Sequence, residues 1–287
     1  MIIKSKNADF SAVGLGTAVF EVSQEVENLL LGFDGLDLSY KLKFQKFIND
    51  IGGISGDIWN TITMLYVPYF ANTVNEAYYD IKMGTLRVPG GGEPHMAGCA
   101  PNRGEGATYD LGTYPNALNY ANLTPSNSGR FFGTCRKITS YTKANMENYM
   151  YGGAGYLGCF QKESNMEYIR RITGVNINLA GHNIYFSKQI SVVGNHAMLT
   201  GLSNDSPMTR DSIVGIIDNC VADSSSLPSG TYTSDNLSWY ALTGYNFSNL
   251  NANYQTQVYS MLLAGGALSK QNLLKLNAAM YNFCKNI

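Results

Sequence analysis

The chain has 287 residues, of which only 14% are charged, and its formal net charge is −1. Its basic clusters are short, at 4–6, 41–46 and 170–171, so it lacks the basic stripe that binding to a nucleic-acid backbone requires. No run reaches the roughly 18–20 apolar residues of a membrane span. We therefore expect neither a nucleic-acid partner nor insertion into a membrane.

Neutral residues supply most of the polarity, because the chain is rich in Asn, Ser and Thr and contains 30 Gly and 20 Tyr. Many turn formers between aromatic, β-compatible runs favour an all-β region. The cysteines are scattered, odd in number and without a C-x-x-C pair: Cys99, Cys135, Cys159, Cys220 and Cys284. This pattern predicts buried, reduced thiols, no metal site and folding in a reducing cytoplasm. The first residues also lack the apolar core of a signal peptide.

The N-terminal third predicts an extended arm followed by helices. Residues 1–20 are punctuated by Gly and read as an arm or an edge strand. Helical periodicity then predicts four helices, at 22–31, at 39–51 ending at Gly52-Gly53, at 55–67 ending before Pro68, and at 72–79. We assign residues 1–85 to an anchoring or oligomerising unit, with four large apolar side chains as its candidate contacts: Phe44, Phe47, Trp59 and Tyr66.

The remainder reads as a linker and a β domain. Residues 86–106 carry several Gly and three Pro without hydrophobic periodicity, which predicts a linker. Residues 107–287 then predict an antiparallel sandwich, with strands within 130–138, 154–160, 166–173, 183–193, 211–218, 237–245 and 257–265. A closing amphipathic helix capped by Ser269 follows, with its apolar stripe at Leu273, Leu276, Met280, Phe283 and Ile287, and we expect it to cover a sheet edge or an open end.

The sequence contains no catalytic motif. Paired carboxylates of a glycosidase are not found on one strand, and Glu21, Glu25 and Glu27 are interpreted as a solvated helix face. His95 lies near Cys99, but a dyad or metal site would need further converging groups. His182 and His196 are interpreted as polar turn residues. We expect a protein that is not an enzyme, with no catalytic residues, no metal and no cofactor. A glycan depolymerase remains an open alternative, because the fold could bring together two carboxylates from distant strands.

Aromatic side chains give the one candidate binding site. Tyr232, Trp239 and Tyr245 lie in a segment rich in Asn and Ser, the composition of a glycan site in which rings stack on sugars. Trp239 and Tyr240 must point to opposite faces of a strand, so one of them belongs to the core. The sequence favours core or buried interface aromatics over a sugar site.

Three stretches, in this order, resemble a recurring type of bacteriophage virion protein. They are the opening MIIKSKNADFSAVGLG, the helical unit FINDIGGISGDIWNTITMLYVPYFANTVNEAYYDIKM, and the terminal LAGGALSKQNLLKLNAAMYNF. The second resembles the segment that precedes a concanavalin-like or laminin-G-like sandwich in phage appendage proteins, and the third resembles the strand and helix that close such sandwiches. Together they cover about a quarter of the chain. The Gly/Pro-rich linker and the Cys-containing strands depart from the family pattern.

The resemblance implies a mainly β fold: an antiparallel jelly-roll or concanavalin-like, lectin-like sandwich with a small N-terminal helical unit and a C-terminal closing helix. It implies a structural component of the virion, a homo-oligomeric head fibre or tail fibre made in the host cytoplasm and involved in host attachment, in a phage of Bacteroidales such as the crAss-like group. Its partners would be itself, as a dimer or trimer, and other capsid or tail proteins. The alternative is a carbohydrate-binding module for host surface glycans, and the resemblance transfers no ligand site to particular residues.

Overall fold

The computed structural model describes 14 ranges of the chain, and the statements about structure concern these: 21–87, 99–109, 118–119, 131–138, 146–152, 155–163, 166–170, 172–173, 185–189, 194–204, 213–221, 223–224, 238–241 and 257–285. Within them the helices are α1 Gln24–Leu29, α2 Leu38–Ile51, α3 Asp57–Thr61, α4 Val74–Ala77 and α5 Lys270–Lys285. A 3-10 turn spans Pro68–Phe70.

The helix ends follow local chemistry. The Ser23 hydroxyl accepts the N–H of Val26 and caps α1. Gly52 ends α2 in the left-handed conformation, with φ 103°. Thr73 and Glu76 form a capping box at the start of α4. The predicted helices at 22–31, 39–51 and 72–79 are confirmed, as is the Gly52 terminus.

The helix predicted over 55–67 is wrong in its second half. Only Asp57–Thr61 is helical, and Ile62–Tyr66 forms strand β1. β1 runs antiparallel to the strand Gln257–Gly265, with Ile62 opposite Gly265 and Tyr66 opposite Leu262. The β-branched residues Ile62 and Thr63 suit this pairing better than a helix, so tertiary pairing overrides the helical spacing.

The first large sheet contains eight antiparallel strands. With β1 they are β4 Cys99–Asn102, β5 Gly106–Tyr109, β7 Phe131–Ile138, β13 Gly194–Leu202, β14 Ile213–Ile217, β15 Cys220–Val221 and β18 Gln257–Gly265. The order is β15-β14-β13-β7-β18-β5-β4. β18 divides its outer edge between two partners, because Tyr259 pairs with Ala107 of β5 and the residues from Leu262 onward pair with β1.

The second large sheet also has eight strands. They are β6 Leu118–Asn119, β8 Met146–Gly152, β9 Gly155–Glu163, β10 Met166–Arg170, β11 Ile172–Thr173, β12 Tyr185–Gln189, β16 Asp223–Ser224 and β17 Ser238–Ala241. The order is β16-β12-β10-β9-β8-β17-β6, with β11 paired to β9. A separate ribbon joins β2 Tyr79–Asp80 to β3 Thr85–Leu86.

The sequence located half of the strands in the two large sheets. Each of the seven predicted runs contains a strand, and the run 257–265 matches β18 residue for residue. The strands that were not predicted include β8 and β13, the two longest of them, and β4, which lies within the predicted linker. The predicted fold class, a mainly antiparallel β-sandwich with N-terminal helices and a C-terminal helix, is confirmed.

α5 packs on the face of the first sheet. Ser269 caps the helix as predicted, its hydroxyl accepting the Asn272 N–H at 3.2 Å. Leu273, Leu276, Met280 and Phe283 are buried, and Ile287 lies outside the described residues. The helix contacts β13, β7 and β14, and α2 packs against it from outside. The expectation that α5 covers an edge or an open end is therefore wrong, because its apolar stripe covers the sheet face instead.

The three predicted segments contribute to one sheet and one core. β1 comes from the range 1–85, β4 from the range 86–106, and the other strands of the first sheet from the range 107–287. A single cluster of buried side chains runs from Val26 to Cys284. The domain limits themselves stay a prediction. Among the described residues, no helix is both long enough and apolar enough to cross a membrane.

Candidate functional site

The sequence placed the Cys99 thiol near His95, but of these two residues only Cys99 lies within the described part of the chain. His95, Glu93 and His182 lie outside the described residues. Cys99 is buried in β4, and burial raises the pKa of its thiol to about 12. A thiol of this kind remains protonated at neutral pH and is a poor nucleophile. The described ranges contain no group of three His, Cys, Asp or Glu that could hold a metal ion.

Glu25 and Glu27 lie on the surface of α1 as predicted, whereas Glu21 precedes the helix. Glu21 and Glu25 are exposed. Glu27 pairs with Lys41 of α2 at 2.6 Å. They do not converge on a common point as the two carboxyl groups of a glycosidase must.

The four candidate anchor side chains belong to the core of this same chain. Phe44, Phe47, Trp59 and Tyr66 are between 0% and 6% exposed. Phe44 packs against Phe47 and Phe70, and Phe47 packs against Phe283 of α5. A partner cannot reach these rings in the folded chain, so any anchoring surface of this unit has to use other residues.

The candidate glycan aromatics are only partly described. Trp239 lies in β17, where its backbone pairs with Met150 of β8, and Tyr240 pairs with Tyr149. Tyr232 and Tyr245 lie outside the described residues. Their role in binding a glycan stays a prediction.

His196 is not a turn residue, contrary to the sequence interpretation. It lies within β13, is 4% exposed, and its Nδ1 is 2.8 Å from Oδ2 of Asp218. Asp218 and Asn219 have φ of 49° and 63° and form a two-residue turn between β14 and β15, as expected for a type I′ hairpin. The carboxylate accepts from Nδ1–H and from the Ala197 N–H at 3.0 Å, which fixes the ring.

His196 belongs to a buried polar layer of the first sheet. It lies opposite Arg136 of β7, which is 1% exposed, on the face away from α5. The neighbouring Thr134 is fully buried, and within the described part of the chain neither its hydroxyl nor His196 Nε2 has a hydrogen-bond partner. No described nucleophile accompanies the His–Asp pair, so we interpret it as structural.

An open polar groove is the candidate binding site. It has a volume of about 440 Å³ and lies where α3, the end of β13 and the start of α5 meet. Six of its eight lining residues carry a carboxylate, amide or hydroxyl group: Asp57, Asn60, Thr61, Asn204, Ala267, Leu268, Ser269 and Asn272.

Backbone hydrogen bonds hold the three segments of the groove together. Gly266 N–H donates to Thr61 O at 3.0 Å, which joins the turn after β18 to the end of α3. Asn204 N–H donates to Leu268 O at 2.8 Å, beside a parallel bridge between Ser203 and Leu268. Gly265 is required here, because a Cβ would collide with Thr61 O and the Phe131 ring. The groove is therefore built on rigid elements.

Several polar groups of the groove face solvent. Asp57, Asn60 and Asn204 are exposed, and Asn272 is half-buried. The Asn60 amide already donates to Ser55 O and the Thr61 hydroxyl to Asp57 O, which leaves their oxygen atoms as acceptors. Among the described lining residues, Asp57 is the one that is charged, and none is aromatic. Carboxylate and amide groups together accept and donate hydrogen bonds, which suits a ligand covered with hydroxyl groups.

Sequence reasoning missed this site because its residues are far apart in the chain. The general enrichment in Asn, Ser and Thr was noted, but only the pairing of β1 with β18 brings 57–61 beside 267–272. Among these residues, the sequence singled out only Ser269, for its position at the start of a helix.

No protein-family model and no curated protein matches this sequence. The solved structures that it resembles include Trypanosoma rangeli sialidase in complex with sialic acid, at 7% identity and TM-score 0.46, over 77% of this chain and 33% of that one. The binding domain of Paraclostridial Mosquitocidal Protein 1 matches at 10% identity and TM-score 0.46, over 77% and 52%. The chain thus spans about a third and about half of these two structures.

A third similar structure is domain 4 of AbnA, a GH43 extracellular arabinanase from Geobacillus stearothermophilus, in complex with arabinotriose. It matches at 12% identity and TM-score 0.39, over 76% of this chain and 98% of that one. At such low identities and TM-scores, none of these likenesses assigns a function or a family to the chain.

Proposed function

We propose that this chain is a carbohydrate-binding β-sandwich and that the groove lined by Asp57, Asn60, Asn204 and Asn272 is its binding site. The observation that carries the proposal is the set of six polar side chains around one open groove on rigid elements. A shallow site without a stacking ring binds weakly, so we expect a dissociation constant on the order of 1 mM for a short oligosaccharide.

The charge of the groove favours neutral glycans. Among the described residues that line it, Asp57 is the single ionisable one, and none is Lys or Arg. A sugar carboxylate or sulfate would meet a like charge without a cationic partner, and like charges cost free energy in a binding site. Neutral hexose and pentose oligosaccharides are therefore the expected ligands.

A glycan array followed by NMR titration tests the proposal. The Asn204→Ala variant removes an exposed amide of the groove while its backbone N–H keeps the bond to Leu268. We expect it to weaken binding roughly 3- to 10-fold, the value of about one hydrogen bond. Asn28→Ala, which removes an exposed amide on α1, is the matched control and should bind like the parent.

The outcomes separate clearly. Absence of binding to any neutral or acidic glycan at 10 mM sugar, roughly ten times the expected dissociation constant, contradicts the carbohydrate proposal. If Asn204→Ala and Asn28→Ala weaken binding equally, the groove is not the binding site. We expect no release of reducing sugar from the bound glycan, and its release would instead support a depolymerase.

We further propose that the chain is a homo-oligomeric structural component of a phage virion, a head fibre or tail appendage anchored through its N-terminal part. The sequence resemblance motivates this role. Four large hydrophobic side chains of the N-terminal part are exposed and support an interface there: Leu31 at 76%, Met83 at 49%, Leu86 at 48% and Leu38 at 46%.

Light scattering after size-exclusion chromatography, together with binding to purified capsids and tails, tests the virion role. A double change, Leu31→Ser with Met83→Ser, should lower the apparent mass or abolish particle binding. Val221→Ser, an equally exposed position on β15, should change neither. A stable monomer that binds no particle contradicts the role.

A further inference from the structure

Two cysteines meet where α5 crosses the first sheet. Cys135 lies in the middle of β7 and is fully buried, and Cys284 lies in the last turn of α5 and is 1% exposed. Both are free thiols. The sequence placed them nearly at opposite ends of the β region and gave no reason to pair them.

The thiols contact each other's elements. Cys135 Sγ donates to Met280 O of α5 at 3.4 Å, one helical turn before Cys284. Cys284 Sγ in turn lies 4.0 Å from Arg136 O, the residue after Cys135. Each sulfur atom thus approaches a backbone carbonyl of the element that carries the other thiol, which places both thiols in the same space between helix and strand.

We propose that Cys135 and Cys284 are an oxidation site that forms an intramolecular disulfide and staples α5 to β7. A low-molecular-weight disulfide such as oxidised glutathione is the oxidant. One protein thiolate attacks it to form a mixed disulfide and release one glutathione thiol. The second protein thiolate displaces the other glutathione, so two protein thiols lose two electrons and two protons while one disulfide of the oxidant becomes two thiols.

The surroundings make this reaction slow while α5 is docked. Burial raises the pKa of the Cys135 thiol, the neighbouring Cys284 thiol adds to this, and the charge of Lys43 on α2 opposes it. The negative charge of Asp218 in the β14–β15 turn raises this pKa further. Attack requires the thiolate and access to it, so oxidation proceeds through local release of the last turn of α5.

The staple would close a loop of about 150 residues, and a loop of this length restricts the unfolded chain strongly. The disulfide is therefore expected to raise the thermal midpoint by about 5 °C or more. Reduction with dithiothreitol should reverse the shift. Cys220, an exposed thiol on β15, offers a matched control in the same sheet.

The test incubates the full chain with oxidised glutathione or with a reductant and maps the unreduced peptides by mass spectrometry. We expect a Cys135–Cys284 linked peptide and a higher melting temperature in the oxidised sample. Cys284→Ala should lose both, and Cys220→Ser should keep both. Cys135→Ser provides a second variant from the strand side. A map that contains only glutathione adducts or other cysteine pairs, or a linked peptide without a shift in melting temperature, overturns the proposal.

Discussion

At the scale of single residues, Asp80 joins β1 to the β2–β3 ribbon. It is fully buried, and its carboxylate accepts the N–H groups of Leu65 at 3.1 Å and Lys82 at 3.0 Å. It also pairs with Arg87 at 3.1 Å. Burial raises the pKa of the carboxyl group, and these donors oppose that shift.

Asp80→Ala is expected to lower the free energy of unfolding by about 3–5 kcal/mol, because it removes a buried carboxylate that accepts the buried Leu65 N–H and pairs with the mostly buried guanidinium of Arg87. Urea denaturation measures the loss. Asp50→Ala removes an acid from a surface pair with Lys46 and should cost less than about 1 kcal/mol. Equal losses in the two variants would contradict this account of Asp80.

Lys43 predicts a dependence of stability on pH. Its ammonium lies 4.3 Å from the Tyr69 ring centroid, and burial lowers its pKa from 10.5 to about 8. Between these values the unfolded chain holds the proton and the folded chain does not, so this group makes stability rise with pH from about 8 to 10.5. The rise should stay below about 1 kcal/mol because the side chain is partly exposed.

Chemical denaturation at pH 7 and pH 10 tests this for the parent and for Lys43→Met. The parent should gain stability relative to Lys43→Met as the pH rises. Lys46→Met, which changes a largely exposed lysine one turn away, should track the parent at both values. A difference that is constant with pH would show that the pKa of Lys43 is not lowered on folding.

At the scale of elements, α5 depends on the leucines that face the sheet. Leu276 is fully buried, whereas Leu274 is only partly buried on the same helix. Leu276→Ala should cost about 2–5 kcal/mol through a cavity, and Leu274→Ala distinctly less. Guanidinium denaturation measures both. Similar losses would mean that the helix does not use this stripe to bind the sheet.

The junction of β5 and β18 depends on a glycine. Gly106 has φ 126°, and a Cβ there would collide with the carbonyl oxygen of Tyr259. Gly194 has a similar φ of 137° but open space around it. Both alanine variants strain the backbone, so Gly106→Ala should lose at least about 1 kcal/mol more than Gly194→Ala in thermal denaturation. A smaller loss at Gly106 would mean that the strands can separate freely.

The type of an element was predictable from the sequence where the local residue pattern favours the same secondary structure as the tertiary fold. β18 and β7 are β-rich runs bounded by turn formers, and the pattern found them. β13 was missed because Gly194, His196 and Gly201 interrupt its apolar residues, although the strand is central and buried. β1 was taken for a helix because its apolar residues continue the spacing of α3, and only pairing with β18 decides the matter.

At the scale of the whole molecule, the described N-terminal elements and the first sheet share one buried cluster. We therefore expect a single cooperative unfolding transition rather than separate melting of a helical unit and a sandwich. Calorimetry tests this by comparing calorimetric and van't Hoff enthalpies, with intrinsic fluorescence as a second probe. Two resolved transitions would support independent units divided near residues 86–106.

The candidate groove could not be predicted from the sequence, because it depends on the fold of the whole molecule. Asp57, Asn204 and Asn272 lie on three segments that meet only after the sheet forms, and none of them stands in a recognisable motif. Composition indicated a neutral, amide-rich surface, but the position of the groove follows only from the fold. The buried His196–Asp218 pair was hidden in the same way, since a tight turn 22 residues later supplies the carboxylate.

The place of β18 in the first sheet has a consequence for biosynthesis. Three earlier strands, β1, β5 and β7, hydrogen-bond to it, and β1 precedes it by about 200 residues. While the ribosome is still translating the residues before β18, β7 can pair with β13 and β5 with β4, but the edges of β1, β5 and β7 that later pair with β18 are open to intermolecular pairing. Closure of this layer therefore has to wait until residue 265 has left the exit tunnel, and we expect a nascent chain stalled before that point to need a chaperone.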